Sequence, residues 1–274
     1  MRKINYPLII SDFDGTLLRS DGTIAPETRR EIDEYIKNGG IFAISTGRML
    51  SSILLKTDEL GLKGLVSAYN GSMIVDIESR EFILNAGLTP EEASDICKVL
   101  EEENLHVHLY NEWDFYSNQN DEKLRWYEEA SGVKGIVFNE KASEFILKNT
   151  FSVKKVLTVV TPEERIPLYE RLSKRLGDKY YVMFSSDRLI EILHKSYSKG
   201  TAVQFLADYY GVPVEKTVGV GDNFNDLPMI QAAGVGIAVK NADISLKQKV
   251  EPYAYSNDED AIGHIIRQYG YTKE

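Results

Sequence analysis

Cysteine is almost absent from this 274-residue chain: Cys97 stands alone, which excludes an intramolecular disulfide. It falls in a helical pattern with Ile96, Val99 and Leu100 and reads as a small core or boundary residue. Long apolar runs are missing as well. Nothing approaches the roughly 20 consecutive apolar residues of a bilayer-spanning helix. Leu8-Ile9-Ile10, behind Met1-Arg2-Lys3, is cut off by Asp12 and Asp14 and is too short for a secretion signal. A cytoplasmic protein is expected. Positive charge is in deficit, 32 Lys and Arg against 42 Asp and Glu, for a net charge of −10. That field opposes encounter with polynucleotides and anionic membranes, so neither nucleic acid nor membrane is expected as a partner. A small anionic substrate stays admissible where a metal or a local Lys or Arg reverses the field.

Other signatures are lacking too. There is no Gly-x-x-x-x-Gly-Lys-Ser/Thr loop, no Gly-x-Gly-x-x-Gly fingerprint, no low-complexity segment and no long linker. Ser196-x-x-Lys199 matches a β-lactamase pattern, but neither Ser-Asp-Asn nor Lys-Thr-Gly accompanies it. The histidines His106, His108, His194 and His264 form no ligand-spaced cluster. His106 and His108 share one strand face, expected to be solvated or to lie at a domain interface rather than to bind metal.

What is present is a soluble globular composition, 43% hydrophobic and 27% charged, long enough for one large domain or two ordinary ones. Pro7-Leu8-Ile9-Ile10-Ser11 reads as a buried parallel strand. Pro26 opens a helix with Ile32, Tyr35 and Ile36 inward, and Gly39-Gly40 stop it. Residues 41–44 form the next strand, 49–59 a helix, 65–68 a third strand, and Asn70-Gly71 a hairpin-type turn. Such alternation implies right-handed crossovers in a parallel sheet. It resumes after Ser198, with a helix, a strand at 217–221, a short helix near 227–232 and a strand at 235–239.

The middle differs. Thr89-Pro90-Glu91-Glu92 recurs as Thr161-Pro162-Glu163-Glu164, each a Thr N-cap with Pro at the first helical position and a Glu completing a capping box. Each helix leads into strand-like runs, 105–110 and 114–116 after the first, 180–184 and 189–193 after the second. This predicts a helix-strand-strand repeat and an inserted α/β domain at 85–192, dividing a core made of 1–84 and 193–274.

The chemistry-bearing residues cluster at strand ends. Asp12-Phe13-Asp14-Gly15-Thr16 follows the first strand, at the edge where open α/β sheets bind ligands. Two carboxylates this close repel unless a cation or a shared proton compensates. Gly221-Asp222-Asn223-Phe224-Asn225-Asp226 ends another strand of the same sheet. Oxygen donors from two strand ends suit Mg²⁺. A calcium loop is disfavoured, because no bidentate Glu arrives at the required place. Ser45-Thr46-Gly47-Arg48 sets a hydroxyl and a glycine amide before a helix, and Lys199-Gly200 opens the helix after Ser198.

In this order, Asp-x-Asp-Gly-Thr, Thr-Gly-Arg, an isolated Lys-Gly and Gly-Asp-x-x-Asn-Asp resemble the haloacid dehalogenase superfamily of Cof type, over essentially the whole chain. The resemblance implies a Rossmann-like α/β parallel-sheet core with an inserted α/β cap that sets substrate specificity. It implies Asp12 as nucleophile, Asp14 as general acid/base, and Mg²⁺ held by Asp12, the Asp14 carbonyl and Asp222. It further implies phosphate contacts from Phe13, Thr46, Gly47, Arg48, Lys199 and Asn225, with Asn225 and Asp226 orienting Lys199 and metal waters. The expected activity is hydrolysis of a small phosphorylated metabolite, a sugar phosphate, through an aspartyl-phosphate. A phosphomutase using the same intermediate and a non-catalytic phospho-ligand sensor are the alternatives. One departure is His194-Lys195-Ser196-Tyr197-Ser198, where the family has a Pro-x-Gly-type turn before its lysine. Arg188 and Glu191 are minor candidates for specificity.

Overall fold

The computed structural model describes residues 2–272. The chain begins with β1 (Leu8–Ser11), α1 (Pro26–Lys37), β2 (Ile41–Ser45), α2 (Leu50–Glu59), β3 (Leu65–Ala68), β4 (Met73–Asp76) and β5 (Phe82–Asn85). It continues through α3 (Pro90–Glu102), β6 (His108–Tyr110), β7 (Phe115–Ser117), α4 (Glu122–Ser131), β8 (Ile136–Val137), α5 (Ala142–Asn149) and β9 (Val156–Val159). Then come α6 (Pro162–Leu176), β10 (Tyr180–Phe184), β11 (Leu189–His194), α7 (Lys199–Tyr210) and β12 (Thr217–Gly221). The last elements are α8 (Leu227–Ala232), β13 (Val235–Ala238), α9 (Ile244–Lys247) and α10 (Ala261–Ile265). Contacts divide the chain into two units. One contains the described residues up to Thr46, Thr57–Ile83 and those from Ser198 to Thr272; the other contains Gly47–Lys56 and Leu84–Tyr197.

The first unit is built on a sheet in the order β13-β12-β1-β2-β3-β4-β5. Pairings from β13 through β3 are parallel, and β3–β4 is antiparallel around the Asn70-Gly71 turn. Leu8, Ile9 and Ile10 of β1 are fully buried, as a continuous apolar run flanked by strands on both sides requires. Register pairs Ser11 with Val220 on one side and Ile44 on the other. The carboxyl ends of β12, β1 and β2 therefore share one edge. Along α1, Ile32 and Tyr35 are buried, but Ile36 is 45% exposed, contrary to the inward face read from the sequence. Thr28, Glu31, Ile32 and Tyr35 are the buried positions, so the stripe is centred on the Tyr35 side of Ile32, and Ile36, about 40° beyond Ile32 on the other side, falls at its rim.

In the second unit the strand order is β10-β11-β9-β6-β7-β8, antiparallel except at β7–β8. Both Thr-Pro-Glu-Glu boxes close. Thr89 Oγ1 accepts from Glu92 N at 3.2 Å, and Thr161 Oγ1 from Glu164 N at 3.4 Å. Each helix feeds the hairpin expected of it, β6–β7 after α3 and β10–β11 after α6. The run at 105–110 yields a strand only from His108, because the Val107 amide donates to the side chain of Asn118 (2.8 Å) instead of extending the ladder. Cys97 is fully buried with Leu100, Leu109, Ile146 and Leu172, and burial pushes its thiol up. Among the described residues, no helix is long and apolar enough to cross a membrane.

Of the two surroundings expected for His106 and His108, the solvated face is excluded, since they are 2% and 0% exposed. Their Nε2 atoms lie 2.7 Å apart; His106 Nδ1 is 3.0 Å from Asp121 Oδ2, and His108 Nδ1 is 3.3 Å from the Tyr110 hydroxyl. One proton order satisfies the chain with both rings neutral. Tyr110 donates to His108, His108 to His106, and His106 to Asp121. A hydrogen-bonded pair of neutral rings can be buried where charged ones could not. Burial and the neighbouring His106 and Lys155 hold His108 well below the usual histidine range. Burial likewise lowers His106, against the pull of Asp121. Both groups thus bind fewer protons folded than unfolded as pH falls below about 6.5. Unfolding free energy is expected to drop between pH 6.5 and 5.5, by at most about 1.4 kcal/mol per pH unit for each histidine. Thermal melts should show this, and His108→Leu should flatten part of the slope.

Candidate active site

The acidic motif begins where β1 ends. Asp12 N donates to Val220 O at 2.8 Å, continuing the ladder by one residue, and the chain then turns through residues 13–17. Gly15 makes that turn possible. Its φ is +73°, and a Cβ built on it would stand 2.5 Å from Asp222 Oδ2. The turn separates the two carboxylates: Asp12 is 6% exposed, whereas Asp14 is exposed. The Phe13 side chain is wholly buried, anchoring the turn from below.

Lys199 enters from the first turn of α7. Ser198 caps this helix by accepting from Thr201 N at 3.2 Å. Gly71 lets the chain pass against it, since a Cβ there would meet the Ser198 carbonyl oxygen at 2.2 Å. The ammonium is 1% exposed and donates to Asp12 Oδ1 and, at 2.6 Å, to Asp226 Oδ1. Asp226 Oδ2 accepts from the amides of Asp222 and Asn223, both at 2.9 Å. Both oxygens of Asp226 are thereby committed within the protein. Asp222 Oδ1 accepts from Thr16 Oγ1 at 3.0 Å.

Charge is out of balance here. Asp12, Asp222 and Asp226 place carboxylate oxygens within 4.8 Å of one another, and Lys199 is the ammonium that answers them. Burial, then Asp226, then Asp222 and Asp14 push Asp12 well above the usual carboxylate range, against the opposing pull of Lys199. Burial and the adjacent Asp226 raise Asp222 to about 7. Burial would drive the Lys199 ammonium down, but the two carboxylates outweigh it and hold it protonated. A divalent cation fits this donor set, because it would relieve the repulsion between Asp12 and Asp222 while Asp226 stays occupied.

Thr46 follows β2 on the same edge and is 1% exposed; its amide donates to Ser67 O at 2.8 Å. Its carbonyl accepts from Asn70 N at 2.9 Å. Asn70 emerges as a site residue that the sequence reading treated only as a turn. It is 1% exposed, adopts a left-handed φ of +54°, and accepts from Asn225 Nδ2 at 3.0 Å. Its position, just past the carboxyl end of a buried strand, was the available signal. Asn225 is thus held by Asn70, whereas Asp226 is the residue that contacts Lys199. Asn241 also went unnoticed; its side-chain amide donates to Gly15 O at 2.7 Å and steadies the turn. Gly47 and Arg48 belong to the second unit. There the Gly47 carbonyl accepts from Lys155 at 3.0 Å, and Arg48 Nη1 donates to Ser52 Oγ at 3.1 Å.

An acidic, lysine-bearing carboxyl edge of a parallel sheet is where open α/β folds bind ligands, and comparison with known proteins supplies the class. The profile of the haloacid dehalogenase-like hydrolases matches residues 9–266, and the chain belongs to that family. A protein of Haemophilus influenzae is 32% identical, the match covering 96% of this chain and 98% of the relative. The 5-amino-6-(5-phospho-D-ribitylamino)uracil phosphatase YitU of Bacillus subtilis is 26% identical over 96% of this chain and 97% of its own length. The crystal structure of TM0651 from Thermotoga maritima superposes with a TM-score of 0.80, at 30% identity and 98% coverage of both chains.

From the charge imbalance, a divalent cation is expected to raise the unfolding midpoint; at a hundredfold excess over Kd the gain is about 2.7 kcal/mol. Asp222→Asn should remove most of that dependence in melts run with and without the ion. An unchanged metal response in this variant would refute the assignment of Asp222 to cation binding.

Proposed function

We propose that this chain is a phosphatase that hydrolyses a small phosphomonoester, a sugar or polyol phosphate, through a phosphorylated aspartate. The observation that carries the reading is the buried contact of Lys199 with Asp12 at the end of β1. A carboxylate used as a nucleophile toward a phosphoryl dianion needs its repulsion cancelled, and Lys199 does this at the reacting oxygen's own carboxyl group. In the proposed sequence the Asp12 carboxylate attacks phosphorus and the bond to the substrate's alcohol oxygen breaks. Asp14, on the exposed limb of the turn, gives that oxygen a proton. Asp14 then takes a proton from water as its oxygen attacks phosphorus, releasing inorganic phosphate and restoring Asp12. Asp12, Asp222 and the Asp14 carbonyl would hold a divalent ion, whose positive charge would keep the carboxylates ionised and offset the negative charge of the phosphate.

Phosphate contacts are assigned to the Phe13 amide, Thr46, Gly47, Arg48, Lys199 and the Asn225 amide, the last oriented by Asn70. Asp226 is a positioning group for Lys199. Residues 85–192 are assigned the choice of substrate as a cap, and the name of YitU, a phosphatase of a phosphorylated ribityl compound, supports a polyol or sugar phosphate.

Phosphate release from a panel of phosphorylated sugars, polyols and nucleotides, with and without Mg²⁺, tests this reading. Asp12→Asn is expected to lower kcat by about three orders of magnitude or more with the fold intact. For Lys199→Ala, a loss of about 10²–10³ is expected, because the buried negative charges lose their counter-ion. Substantial turnover by Asp12→Asn would exclude the covalent route.

A further inference from the structure

The second unit's sheet has two unlike faces. Leu109, Val156, Ile190 and Ile192 share an apolar core with residues of α3, α5 and α6. The opposite face carries polar groups among apolar side chains. Register pairs Leu157 with both His108 and Glu191, so these side chains project to the same side. Lys155, two residues before Leu157, and Tyr110, two after His108, project there too. Yet Lys155 and Glu191 are only 2% and 1% exposed.

Lys155 has three neighbours in this buried place. Its Nζ donates to Glu191 Oε1 at 3.0 Å and to the Gly47 carbonyl at 3.0 Å, and it stands 4.9 Å from the centre of the Tyr110 ring. Ser185 Oγ donates to the same Glu191 oxygen at 2.7 Å. A buried ion pair gains little stability over apolar residues of similar volume, so a buried ammonium with a backbone carbonyl as its second acceptor calls for another reason. The carbonyl it holds is that of a glycine, the residue whose ψ is least restricted by its own chemistry. Fixing that oxygen fixes the Gly47–Arg48 peptide plane. Because the peptide is trans, its N–H points opposite to the Lys155-bound C=O. A cation on the oxygen also polarises that N–H into a better donor to an anion.

We propose that Lys155, held in place by Glu191, is a positioning residue for phosphate capture. It sets the orientation and donor strength of the Thr46-Gly47-Arg48 turn, although it lies in the inserted part of the chain and does not touch the phosphate. This rests on the assignment of that turn to phosphate contact. It also gives Glu191, a minor candidate for specificity from the sequence, a different role as the partner that keeps Lys155 aimed at the Gly47 carbonyl.

The test compares the full-length wild type with Lys155→Met and with the charge-balanced double variant Lys155→Met/Glu191→Gln, which leaves no buried unpaired carboxylate if the single variant folds poorly. Two readouts are used. Hydrogen–deuterium exchange of the peptide spanning Thr46–Leu50 reports the turn directly, and steady-state hydrolysis of p-nitrophenyl phosphate with Mg²⁺ reports phosphate capture. Exchange is expected to quicken at least tenfold at Gly47 and Arg48, with KM rising about tenfold or more and kcat changing less than threefold. Unchanged exchange, or faster exchange with an unaltered KM, would overturn the proposal. A fall in kcat at constant KM would overturn it as well, by moving Lys155 to the chemical step. If the wild type released no phosphate from any ester, the phosphatase reading would fall, while the exchange data would still decide whether Lys155 holds the turn.

Discussion

The contact of Lys199 with Asp12 and Asp226 is the interaction on which the first unit's edge depends. A fully desolvated ammonium is costly unless paired, and two carboxylates a few ångströms apart are costly unless a cation separates them. Each cost is met by the other. Their union then fixes the geometry around it: α7 must start beside the end of β1, and Asp226 must turn back to receive the amides of Asp222 and Asn223. Gly15 and Gly71 are required because backbone and carboxylate crowd where a side chain would otherwise sit. One ammonium cannot neutralise three carboxylates, and the residual negative charge gives the site its demand for a further cation.

The second unit solves an analogous problem with neutral rings and the Lys155–Glu191 ion pair. Its sheet buries polar atoms on the face away from α3, α5 and α6 by linking them in series, Tyr110 to His108 to His106 to Asp121. Lys155 and Glu191 continue this polar layer and extend it to the Gly47 carbonyl. A layer of this kind is specific because an incomplete version would leave a buried donor or acceptor unmatched, at about 1–3 kcal/mol each. Its neutral histidines make that specificity sensitive to acid.

Much was legible in the sequence where a local rule applied. The capping boxes at Thr89 and Thr161 formed because their hydrogen bonds span three residues and need nothing else. The apolar run of β1 predicted a strand buried on both faces. Periodicity was less sure at a boundary, as at Ile36, where one residue decides between core and solvent. It put His106 and His108 on one face, as found, but could not give their burial, which depends on partners brought from Tyr110 and Asp121. The elements α4, β8, α5 and β9 between the two repeat halves went unread, although Asp121 caps α4 by accepting from Leu124 N at 2.9 Å and Gly132 ends it in a left-handed conformation. Asn70 looked like any Asn-Gly turn, since its contact with Asn225 crosses 155 positions.

By itself the sequence determined the strand-helix order of the first unit, the residues able to carry charge at its strand ends, and the resemblance to haloacid dehalogenase-like hydrolases. It did so because strand, helix and cap signals are local and the acidic motifs are contiguous. Only the tertiary structure decided which carboxylate Lys199 meets, that Asp226 spends both oxygens inside the protein, that Asp14 stays exposed while Asp12 is buried, and that Lys155 takes hold of Gly47. These are matters of distance and desolvation between residues far apart in the chain. No spacing along the sequence encodes them until sheet register and burial bring the groups within a few ångströms of one another.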